Sequence, residues 1–168
     1  ADPARAAFTV EVVPDGARVT AVSGDRVGLL ADVAAVLALQ RVRVRAARAW
    51  SQDSWGVSAW DVSEEVDPAV LRDRFAALVE GRLDVGRRLR LEGAPGELPP
   101  SVEVHHEASR TSTVLEVRAS DRLSVVHHVC STLARLDIAV RSAHVDTLGP
   151  QAVDVFYLQE AWAGALAD

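Results

Sequence analysis

The chain has 168 residues, 49% of them apolar and 25% charged, which are the proportions of a globular protein rather than of a disordered one. A formal net charge of −6 excludes a generally cationic nucleic-acid binder. No apolar run approaches the roughly eighteen residues that a membrane-spanning helix needs, so no membrane segment is expected. One cysteine, Cys130, permits no intrachain disulfide and suits a reducing compartment, with the cytoplasm as the expected location. No basic stretch followed by an apolar core reads as a signal peptide, and methionine is absent even at position 1, as in a piece of a longer protein. All eighteen basic residues are arginine; thirteen fall in residues 1–96 against fourteen acids, so the acidic excess belongs mainly to the second half.

In chain order, residues 1–7 read as a linker or frayed end, and Phe8 to Val12 alternates as a strand should. Pro14-Asp15-Gly16 signals a turn, because proline pre-sets one dihedral and glycine accepts a positive φ, and a return strand covers about Arg18 to Ser23. A helix is predicted from about Val27 to Leu39, with Leu30, Val33, Ala34 and Leu37 on one face and Gly28 in its first turn. From Val42 to Trp50 the period becomes two, which predicts Val42, Val44 and Ala46 on one face and Arg43, Arg45 and Ala47 on the other. Gln52-Asp53-Ser54 is a turn, and Trp55 to Val62 is the partner strand. Asp67 as cap and Pro68 at the first position open a second helix with the stripe Leu71, Phe75, Leu78, Val79, and Gly81 stops it. Arg82 to Leu91 fits either a short helix or an approach to the next strand.

Gly93-Ala94-Pro95-Gly96 with Pro99-Pro100 is the clearest linker. Val102 to His106 pairs naturally with Thr113 to Ala119, either as the last strand of the first unit or as the opening arm of a second. A helix around Leu123 to Leu136 buries Val126, Val129, Cys130 and Leu133. Strands follow at Ile138 to Thr147 and Ala152 to Gln159, joined by Leu148-Gly149-Pro150. Ala161 to Asp168 is too short for another helix and strand, so the second unit is expected to be incomplete, or to complete its sheet with a borrowed strand.

These elements repeat without a gap ninety-six positions apart: Asp25-Arg26 returns as Asp121-Arg122, Leu37 as Leu133, Val44 as Val140, Trp60 as Phe156. The expected class is α+β, a small antiparallel sheet with helices on one face, made twice. The first unit covers residues 8–92, a linker 93–101, and the second, incomplete unit 102–168. Each unit leaves a bare sheet face and edges that need partners, so the units should join side by side or face to face, with further dimerisation.

The chemistry-bearing stretch is the turn from Asp25 to Leu30. Backbone N–H groups at a helix N-terminus lack intrahelical partners and favour a carboxylate, glycine exposes them, and Asp25 could accept from an α-ammonium or cap the helix. Those two charges are the ends of a free amino acid. Without a ligand, Asp25 would be only a cap and Gly28 only a close-packing residue.

Asp-Arg-x-Gly-Leu-Leu after a strand, then helix, strand, strand and helix, resembles the ACT domain, a ferredoxin-like βαββαβ module that senses small molecules. Asp25 to Trp50, Gly81 to Val85, Thr113 to Ala119, Val140 to Val145 and Val153 to Tyr157 look like the C-terminal tandem ACT region of bacterial protein-PII uridylyltransferase, the uridylyl-removing enzyme. That resemblance implies a glutamine-binding regulatory region reporting nitrogen status to catalytic domains elsewhere in the parent chain, with no catalysis and no cofactor of its own. Carried over by motif, the ligand-binding candidates are Ser23, Asp25, Arg26, Val27, Gly28, Leu29 and Leu30, and the second-repeat counterparts are Asp121, Arg122, Leu123, Ser124 and Val125. The first loop has Val27 where the family usually has proline, while the second has lost both proline and glycine, Ser124 standing at the glycine position. The first loop is therefore the better-kept site. The other reading is an assembly module that dimerises or docks and binds nothing.

Two further clusters have plainer explanations. Arg41, Arg43, Arg45 and Arg48 make a basic row with Trp50, Trp55 and Trp60 nearby in sequence, but nucleic-acid binding would want a positive domain and the first half is slightly acidic; a solvated or interface face is expected. His127, His128 and Cys130 lie within one helical turn, yet adjacent histidines diverge on a helix and Cys130 falls on the apolar stripe, so no metal site and no cysteine nucleophile is expected.

Overall fold

A computed structural model describes residues 2–89, 99–106, 112–120, 124–148 and 151–160. Its elements run β1 (Ala6–Val13), β2 (Gly16–Gly24), α1 (Leu29–Leu39), β3 (Val44–Gln52), β4 (Trp55–Val62), α2 (Pro68–Val79), α3 (Val85–Arg88), β5 (Ser101–His105), β6 (Thr113–Ser120), α4 (Val125–Arg135), β7 (Ile138–Leu148) and β8 (Gln151–Glu160). The strands form one eight-stranded sheet in the order β1-β2-β4-β3-β7-β8-β6-β5, antiparallel throughout. The two units thus lie side by side in one α+β layer pair, joined where Ala46 to Ala49 of β3 pair with Ala143 to Asp146 of β7.

Alternation places one side chain in two under the helices. Ala17, Val19, Ala21 and Ser23 of β2 and Ser58, Trp60 and Val62 of β4 are buried there, and the residues between them are not. Trp60, Leu37, Leu71, Phe75 and Phe156 are fully enclosed, and burying a side chain of this size stabilises the fold by about 1.5–3 kcal/mol. α2 begins as its sequence dictates, Asp67 accepting from the Ala69 N–H at 2.8 Å ahead of Pro68. It lays Phe75 edge-on against Phe8 of β1, with ring centroids 5.8 Å apart.

The outer strand of each half comes from upstream, as the two hairpins read in the sequence have it, β1 before β2 and β5 before β6; the βαββαβ order that the resemblance implies would place a strand after the second helix. Val102 pairs with Val117 and Val104 with Leu115, which makes Val102–His105 the opening arm of the second half. Ser101, expected in the linker, already belongs to this strand, whereas 93–98 and 161–168 lie outside the described residues. The uncertain stretch after Gly81 contains the short α3.

Strict alternation in β3 fails. The register with β4 shifts between Val44 and Ala46, so Arg45 is an extra residue and Ala47, expected beside the arginines, is buried under the helices. The same shift occurs in β7 between Val140 and Ser142, extruding Arg141. α1 begins at Leu29, two residues later than expected, because Gly28 takes φ 87° as its N-cap.

Candidate ligand-binding site

β2 delivers the chain to the Asp25 loop at the seam between the two halves. The loop is pinned from below, because the Asp25 N–H donates to the Ser54 carbonyl in the β3–β4 turn at 2.9 Å. Arg26 folds back over it, donating to Asp32 at 2.5 Å and to the Val27 carbonyl at 3.4 Å. Gly28 then turns left-handed, a conformation that L side chains rarely adopt, and admits the chain to α1. No side chain caps this helix, so Asp25 is not the cap that the sequence allowed. Of its first-turn amides the Leu29 N–H donates to the Arg26 carbonyl at 3.3 Å, the amides of Leu30 and Ala31 follow it, and the backbone dipole there favours negative charge.

Asp25, Leu29 and Leu30 from the loop side, Trp50 and Gly56 from β3 and β4, and Val140 from β7 enclose a cleft. Its volume is about 40 Å³, the room of roughly one water molecule. A methyl group on Gly56 would come within 2.3 Å of Leu29 Cδ2 and 3.4 Å of Asp25 Oδ1, so the glycine lets strand and loop approach. Arg141 crosses the seam: its Nη1 lies 3.5 Å from Asp25 Oδ2 and its Nε donates to Gln159 Oε1 at 2.9 Å.

The expected residues divide in two. Asp25, Arg26, Leu29 and Leu30 line the cleft together. Ser23 is buried with its hydroxyl donated to the Arg5 carbonyl at 2.9 Å, Val27 lends a carbonyl to Arg26, and Gly28 acts through its backbone. In the second loop Asp121, Arg122 and Leu123 lie outside the described residues. Ser124 caps α4 with φ −112° and no side-chain capping bond, and Ser124 and Val125 are both buried. That entry needs no glycine, because φ there is not in the left-handed region. The sequence reading missed Trp50, Gly56, Val140 and Arg141; only Gly56, a glycine within a strand, carried a local signal of close approach.

The basic row is not a row. Arg41 sits in a turn at φ 60°, Arg45 turns to the Val62 carbonyl at 3.5 Å, and Arg48 is exposed on the helix-free face. His127 Nδ1 meets the Ala31 carbonyl of α1 at 3.0 Å, while His128 Nε2 meets the Leu89 carbonyl. The two rings thus serve different partners. Burial raises the Cys130 thiol above its ordinary pKa, and Asp154 adds to the effect. A wider depression of about 660 Å³ lies by β1, Val22 and the half-exposed Trp55, but its charged groups, Asp2, Arg5 and Asp53, are exposed to water. Asp25 is the more sheltered, its side chain 26% accessible.

No family model matches the chain. Over most of its length it is homologous to bifunctional uridylyltransferase/uridylyl-removing enzymes, as the motifs imply. It is 36% identical over 152 residues to that of Streptomyces coelicolor, covering 80% of this chain and 18% of the relative. With the enzyme of Caulobacter vibrioides the identity is 30% over 171 residues, 92% of this chain and 18% of the relative. With that of Gluconobacter oxydans it is 29% over 195 residues, 99% and 20%. The chain therefore spans about a fifth of the length of these relatives. An aspartate kinase from Synechocystis aligns with 85% of this chain and 24% of its own at a TM-score of 0.45 and 15% identity. No helix among the described residues is long and apolar enough to cross a membrane.

Proposed function

We propose that this chain is an amino-acid-sensing regulatory module, with glutamine as ligand, acting in the cytoplasm on catalytic domains of a parent uridylyltransferase/uridylyl-removing enzyme and so controlling uridylylation of PII proteins. The observation that carries this reading is the half-buried Asp25 carboxylate standing beside an uncapped helix start, at a seam where both halves contribute walls. The carboxylate suits an α-ammonium and the first-turn amides suit an α-carboxylate. Homology to a segment that makes up only a fifth of a bifunctional enzyme supports a regulatory rather than a catalytic part. At about 40 Å³ the cleft is too small for an amino acid, so a ligand must select a population in which the seam is wider. That widening is what attached domains would feel.

The second reading is an assembly module that pairs through its sheet and binds nothing. The small volume of the cleft favours it, as do the half-exposed Trp50 and Trp55. Isothermal titration separates the two. Saturable heat with glutamine, weaker with glutamate and lost in Gly28→Trp, is the expected outcome. A folded, dimeric protein giving no heat with any amino acid establishes the assembly reading instead.

A further inference from the structure

We infer that Arg141, contributed by the second half, is the positioning residue of the ammonium subsite: it holds the Asp25 carboxylate so that one oxygen faces the cleft. The inference rests on the amino-acid-binding reading above and adds a specific residue to it. The two oxygens of Asp25 have different surroundings. Oδ2 is the one that Arg141 Nη1 approaches, at 3.5 Å. Oδ1 lies on the side of Gly56, where a methyl group would stand 3.4 Å from it, and Gly56 is a wall of the cleft. Arg141 itself is absent from that wall although its neighbour Val140 belongs to it. The guanidinium therefore does not fill the cleft; it holds the carboxylate from outside.

Arg141 is in turn held. Its Nε donates to Gln159 Oε1 at 2.9 Å, and Gln159 Nε2 donates to Ser112 Oγ at 3.3 Å, so a polar chain runs from the first half's loop across β7 and β8 to the residue before β6. The bulge alone does not dictate this crossing. Arg45, the counterpart of Arg141 by the repeat, is extruded by the same register shift but turns back to Val62 in its own half. Nor is the contact needed to hold the fold. Side chains that are 39% and 26% accessible form a pair that water screens, and such pairs contribute little to stability. What such a pair can do is fix an orientation, and a carboxylate already turned toward the cleft loses less freedom on meeting an ammonium group.

The test is a titration of the folded protein, Arg141→Ala and Arg141→Lys with glutamine and with its analogue lacking the α-amino group, the analogue read by displacement. Arg141→Ala is expected to bind glutamine about tenfold more weakly, the size of one well-placed charge-assisted hydrogen bond. The analogue, having no ammonium, should bind Arg141→Ala and the unaltered protein alike, and Arg141→Lys should recover part of the loss. Unchanged glutamine affinity in Arg141→Ala, or equal weakening of glutamine and analogue, overturns the assignment while leaving amino-acid binding intact. Absence of glutamine binding to the folded, unaltered protein removes the amino-acid reading itself, and the role of Arg141 with it.

Discussion

The two halves share a strand order and a bulge in the same place, yet they are not equally finished. In the first, Phe8 and Val10 of β1 lie under α2, and Phe75 is completely enclosed. In the second, the residues at the same pairing positions are Val102 and Val104 of β5, and these are 59% and 49% exposed. The first loop enters its helix through a left-handed glycine, the second through a buried serine in ordinary backbone. At the position of Ser58, which accepts from the Trp60 indole at 2.8 Å, the second half buries Asp154. Duplication therefore preserved the sheet and let the loops and helix cover diverge. That is expected where backbone pairing depends little on side-chain identity and loops vary more readily than the strands they join.

The difference in cover should show most strongly in stability. Phe75→Ala empties a filled site between α2 and β1 and is expected to cost about 3–5 kcal/mol in denaturant unfolding. Replacing Val102 and Val104 by threonine should shift stability by no more than about 0.5 kcal/mol each, because both already meet water. A comparable loss from either valine substitution would mean that the second outer strand is covered after all, and the contrast would collapse.

A smaller effect should separate the two loops. Gly28→Ala has space, since the nearest atoms to a new methyl group are 3.6 and 3.7 Å away, but it forces alanine to φ 87° and should cost about 1–3 kcal/mol. The reciprocal change, Ser124→Gly, relieves nothing, because φ there is −112°; it should destabilise by about the 1 kcal/mol or less that added backbone freedom costs. If Ser124→Gly stabilised the protein, the second loop would be a strained copy of the first rather than a resettled one.

The sheet was legible in the sequence because period-two burial repeats at a constant offset. Residues such as Val19, Trp60 and Phe156 announced their face by spacing. The bulges were not legible: an extra residue at Arg45 or Arg141 leaves no mark in composition, and it reverses the face of the residues downstream, such as Ala47. The Asp25 loop was visible as a candidate from its glycine and carboxylate, but the rest of the cleft was not. Val140 and Arg141 come from the other repeat, and their nearness to Asp25 follows only once β3 is known to pair with β7.

The smallest expected effect concerns the helices that meet across the seam. α4 reaches the first half through two histidines, and the ring of His128 contacts the Leu89 carbonyl beyond α3. Burial pushes its pKa below the ordinary value of 6.5, the Leu89 carbonyl opposes that shift, and His127 and Arg135 reinforce it. A lowered folded-state pKa means that the unfolded chain binds more protons just below pH 6.5, so stability rises with pH through that window. The contribution should be complete above the unfolded value and decline as the pH falls toward the folded one. Urea midpoints measured between about pH 5 and pH 8 should show this shallow slope, and His128→Gln should flatten it without changing the midpoint near neutrality. A slope that persists in His128→Gln would assign the titration to another group.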